Sequence, residues 1–94
     1  MRLRQYKARY LKRLAMYSPR DQRERELRDL LVNKLEYLRS ATMPFFLRTL
    51  YEVAEHEPVS EDFRSIVREM IRDAPVEEED EDQALSAEVR TLAP

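Results

Sequence analysis

Glycine is absent from all ninety-four residues of this chain. Ordinary usage is about 7%, so the omission constrains the backbone more than any motif does. Glycine supplies positive φ in tight hairpins, at helix C-caps and in loops that cradle phosphate. A sheet with tight primed turns is therefore hard to build, and P-loops and dinucleotide-binding fingerprints are excluded. Helices joined by short Pro, Ser or Asn connectors remain easy. Cysteine is absent as well, which excludes disulfides and cysteine-ligated metal. The expectation is an all-α chain with a single domain, a small antiparallel bundle of about four helices spanning 1–74. Residues 75–94 are expected to be a disordered acidic tail.

Apolar spacing places the helices. Leu3, Tyr6, Tyr10, Leu14 and Tyr17 recur at three- and four-residue steps, predicting a first helix over 2–17. Ser18, Pro19 and Asp21 read as a helix start, with Asp21 where a capping box wants a carboxylate. The second helix is expected over 19–39, with Leu27, Leu30, Leu31, Leu35 and Leu38 on one face. Arg23, Glu24, Arg25, Glu26, Arg28 and Asp29 mix signs on its early turns and read as its exposed side. Pro44 ends that helix and opens a third, over 44–56. Phe45, Phe46, Leu47, Leu50, Tyr51, Val53 and Ala54 make the third helix apolar over most of its circumference, so a central position is expected. Ser60 followed by Glu61 and Asp62 caps a fourth helix that runs to Asp73. The expected core is Leu27, Leu31, Leu35, Leu38, Phe46, Leu50, Val53, Phe63, Ile66, Val67 and Met70, with Leu3, Tyr10 and Leu14 packed on it. The tyrosine-rich stripe exceeds what so small a core covers, which favours a homodimer or a larger assembly.

Charge carries the functional reading. The first twenty residues hold seven bases and no acid, and Asp73 to Asp82 hold seven acids and no base. The formal net charge of −2 conceals this separation. Fields of opposite sign at the two ends speak about partners rather than about a reaction. On a helical wheel, Arg2, Arg9 and Arg13 are expected almost opposite the Leu/Tyr stripe, with Lys12 to one flank. Arg4 and Lys7 are expected nearer the apolar edge. Arginine outnumbers lysine fourteen to three, and its guanidinium grips phosphate or carboxylate in a bidentate fork. The leading expectation is a non-enzymatic module whose Arg2, Arg9, Lys12 and Arg13 contact nucleic-acid phosphate. The competing expectation is a protein–protein adaptor that docks on an acidic protein surface. Simple solubilisation, or the acidic tail folding back on the basic face, would leave the same pattern.

Two resemblances bear on these readings. Residues 50–67, LYEVAEHEPVSEDFRSIV, resemble the first two helices of winged-helix and other helix-turn-helix domains. In those domains the second helix reads DNA with basic or polar residues. Here that position offers Glu61 and Asp62, so the segment reads as a packing motif. Asn33 to Ile71 is similar in its helix order to the helical domain of GINS replication factors. That resemblance implies a small subunit of a replication- or transcription-type assembly. The basic signature usual between the first two of those helices is absent, since residues 38–42 hold only Arg39.

No catalytic constellation stands out. His56 is the only histidine, flanked by Glu52 and Glu55, and reads as a polar helix-end residue. No serine or threonine has a base to activate it. No metal, cofactor or enzyme activity is expected. Residues 77–82, EEEDED, are too like-charged to pack. Beyond them Leu85, Val89 and Leu92 lie at helical spacing, a candidate docking turn on an acidic tether. No apolar run approaches the ~18 residues of a membrane span, so a soluble, cytoplasmic protein is expected.

Overall fold

The computed structural model describes residues 1–75. The tail, with Leu85, Val89 and Leu92, lies outside the described residues. Four helices are present: α1 (Leu3–Met16), α2 (Gln22–Glu36), α3 (Met43–His56) and α4 (Glu61–Arg72). Among the described residues there is no strand, and no helix is long and apolar enough to cross a membrane.

Helix α2 starts three residues later than its spacing predicts. Asp21 is its N-cap, and the Asp21 carboxylate accepts the Glu24 N–H at 2.9 Å. Ser18 and Pro19 thereby belong to the connector. The helix also stops at Glu36, short of Arg39. A single 3-10 turn, Ser40–Thr42, then leads into α3, with Pro44 in the first turn where its missing N–H costs nothing. Ser60 caps α4 as expected, accepting the Phe63 N–H at 3.3 Å.

All eleven residues expected in the core of α2, α3 and α4 are buried. Tyr6, Tyr10 and Leu14 of α1 join them with no exposure at all, and Leu3 is partly buried. The tyrosine stripe is therefore covered within one chain. Its hydroxyls find partners on α4: Tyr6 Oη donates to the Met70 carbonyl at 2.6 Å, and Tyr10 Oη donates to Asp73 Oδ2. At the other end of α1, Tyr17 meets Ser60 and Phe63.

The uncovered apolar surface lies elsewhere. Helix α3 is not central on all sides, because α2 and α4 pack against only part of it. Phe45 and Tyr51 remain exposed, as do Leu30 and Tyr37 of the α2 region. Leu30 therefore leaves the core face on which its spacing placed it.

Candidate functional site

The basic residues of α1 divide into two groups. Seven residues, close to two helical turns of about 3.6 residues each, separate Tyr6 from Arg13. Arg13 consequently lies beside the stripe and not opposite it, and Arg9 shares its flank. Both face the last turns of α4. Arg13 pairs with Glu69, and Arg9 Nη1 stands 3.9 Å from Asp73 Oδ2. Two bases four residues apart thus meet two acids four residues apart. The Arg9 guanidinium also lies 5.5 Å from the Tyr10 ring centre. Asp73 is held below the usual carboxylate range by its bond from Arg72, then by that from Tyr10. Arg4 and Lys12 face away, are exposed, and make no ion pair among the described residues. Arg2 precedes α1, and its N–H donates to Gln5 Oε1 at 3.1 Å. Lys7 turns toward α2, where its Nζ donates to the Leu38 carbonyl at 3.2 Å.

Glu24 corrects the reading of the early turns of α2 as an exposed side. It is 1% exposed. Its Oε1 accepts from the Tyr17 hydroxyl and from the Arg20 N–H at 2.9 Å, and its Oε2 accepts from the Ser60 N–H at 2.9 Å. Burial opposes ionisation here, but the donors from Ser60, Tyr17 and Arg20 outweigh it and bring the carboxyl to about 2. One side chain thereby ties the α1–α2 connector to the α3–α4 connector. Arg23, bidentate on Glu57, spans the same gap from outside. This cluster fixes the fold and is closed to a ligand.

An open groove lies between α2 and α3. Asn33, Lys34 and Tyr37 line one wall, with Phe45, Phe46 and Thr49 on the other, around about 340 Å³. No acidic residue lines it. Its rim aromatics are among the most exposed apolar side chains, Tyr37 at 73% and Phe45 at 65%. Leu38 also lines it, and the Leu38 carbonyl is the acceptor for Lys7 of α1. The signal in the sequence was available: Lys34 and Tyr37 sit about one turn apart on a flank that Leu27, Leu31, Leu35 and Leu38 do not use.

His56 lies with Glu52, Glu55 and Tyr51 along a shallow depression on the outer face of α3. Among the described residues no group of three His, Cys, Asp or Glu side chains is placed to hold a metal ion. Comparison with protein-family models, curated proteins and solved structures finds no match for this chain.

Proposed function

We propose that this chain is a non-enzymatic protein-docking module, an adaptor or small subunit, whose α2–α3 groove receives a helix from an acidic partner. The observation that carries this reading is the pair Tyr37 and Phe45, two large exposed rings on the rim of an acid-free groove. Exposed apolar patches with polar rims mark interaction sites, and aromatic residues dominate their energetics. A groove between helices suits an amphipathic helix. Lys34 inside it and Arg39 beside it favour an acidic helix over a basic one. A photoreactive benzoylphenylalanine in place of Phe45 in the full chain, expressed in its own cell, tests the proposal. Adducts to an acidic protein from position 45, and none from the same probe at Ser65 on α4, are the expected result. Absence of protein adducts at 45 overturns it.

The second reading is nucleic-acid contact through α1. It is favoured by Arg4 and Lys12, both exposed and outside any ion pair among the described residues. Residues 1–75 also hold sixteen bases against twelve acids. The engagement of Arg9 and Arg13 by α4 ranks this reading second, because it removes free charge from two of its four contact residues. A labelled duplex and a labelled single strand, titrated at low and moderate salt, test it. Binding that collapses with salt and with Lys12→Glu is its signature.

A further inference from the structure

A second side of α3 is uncovered, and its pattern fits a copy of itself. We infer that the outer face of α3 pairs antiparallel with the same face of a second chain, making a symmetric dimer. This face shares no residue with the α2–α3 groove, so the inference goes beyond the docking proposal and stands without it.

Spacing sets the seam. Pro44, Arg48, Tyr51 and Glu55 follow one another at steps of four, three and four residues, which draws a single line along the helix. All four are exposed, and Tyr51 keeps 53% of its surface uncovered. Leu47, partly buried against the core, borders the line. The four positions are symmetric about their own midpoint. A two-fold axis there, perpendicular to the helix, sets Arg48 of one copy against Tyr51 of the other, and Pro44 against Glu55. In an isologous contact of this kind every pairing forms twice.

Charge decides the occupant. Arg48, Glu52 and Glu55 make no ion pair among the described residues. Arg48 and Glu52 stand one turn apart on the same helix, where side chains are neighbours, and still do not pair. In the antiparallel dimer Arg48 lies over the Tyr51 ring of the second copy, a favourable place for a guanidinium. Glu52 and Glu55 of that copy are then within about one turn of it. A parallel pair would set Arg48 on Arg48 and Glu55 on Glu55, which like-charge repulsion disfavours. A partner of a single sign would meet a like charge on this line, whichever sign it carried. The face holds both signs, in an order that complements its own reversal. A helix of 14 residues is about 21 Å long, so the seam is small for a specific interface and the association should be weak.

Sedimentation equilibrium of the full chain tests the inference. The mass should be that of a monomer at low micromolar concentration and approach that of a dimer near millimolar. Arg48→Glu lines the seam with acids and should weaken the dimer about tenfold or more. Glu52→Arg/Glu55→Arg lines it with bases and should do the same. Mixing the two variants should restore association, which misfolded chains would not do. Orientation has its own readout, because the chain has no cysteine of its own. Pro44→Cys and Glu55→Cys chains, oxidised together, should form a mixed disulfide. Each alone should stay unlinked, since about 16 Å of helix separates like positions in the antiparallel dimer. Linkage of each with itself overturns the antiparallel pairing. A monomer at every concentration overturns the inference and leaves the face to a partner of another sequence. A dimer that survives Arg48→Glu but is lost with Phe45→Asp overturns it in favour of pairing through the groove.

Discussion

Tyr17 donates its phenolic proton to the buried carboxylate of Glu24, seven residues further along the chain. The same hydroxyl lies 2.8 Å from Ser60 Oγ, and the Tyr17 ring packs 5.3 Å from that of Phe63. Three helices therefore converge on one ionised group. A buried charge is tolerated only where hydrogen bonds replace its water, and here three donors do so.

Glu24 makes stability depend on acid. Its folded value of about 2 lies below the ordinary 4.5. The stabilisation is thus fully present above pH 4.5 and is lost as pH falls from 4.5 toward 2, at about 3 kcal/mol in all. Glu24→Gln keeps the shape but replaces one acceptor oxygen by a donor. At least one of the three donors is stranded, at a cost of about 2 kcal/mol at pH 7. Denaturant unfolding at pH 7 and pH 3 checks this. The variant's penalty should shrink markedly at pH 3; an equal penalty at both would show that the charge is irrelevant.

The alkaline side has its own markers. Burial, the bond to Asp73 and the nearby negative charge push the Tyr10 phenol up to about 12. Burial first, then Tyr10 and Asp73, raises Tyr6 as well. A raised folded value gives stability that is intact below pH 10 and is lost as pH climbs from 10 through 12. Phenolate absorbance and helix content, followed together, should show these two phenols ionising as the helices melt. Tyr6→Phe removes the bond to Met70 and should cost about 1 to 2 kcal/mol at neutral pH.

The leucine stripe of α2 and the apolar face of α4 were legible because burial repeats with the helical period. Glu24 was legible too, on the same logic: 24, 27, 31, 35 and 38 continue one stripe. Its charge and its alternating neighbours masked that position. The flank of Arg13 also followed from spacing alone, since two turns bring it beside Tyr6. What spacing could not supply was the identity of the neighbour. That Glu69 and Asp73 stand opposite Arg13 and Arg9 depends on how α1 lies across α4, sixty residues away in sequence. The exposure of Phe45 has the same origin. An apolar helix is covered only where other helices reach it, and α2 and α4 together cannot wrap α3.

Arg13 and Lys12 should behave differently despite being adjacent. Arg13→Glu sets like charges against Glu69 and should cost about 1 kcal/mol, an exposed pair being worth less than a buried one. Lys12→Glu touches no ion pair among the described residues and should change stability by less than about 0.5 kcal/mol. Urea unfolding of both checks the contrast. It also decides which variant reports on nucleic acid: Lys12→Glu probes surface charge alone, whereas Arg13→Glu disturbs the fold as well.

Phe45 and Phe46 form the sharpest adjacent pair. Phe46 is buried, and its truncation to Ala should cost about 3 to 5 kcal/mol in any background. Phe45 is exposed among the described residues, so on their packing alone Phe45→Ala should cost less than about 0.5 kcal/mol. Urea unfolding of the two variants at neutral pH checks the contrast, and equal losses would show that the ring of Phe45 is packed as closely as that of Phe46.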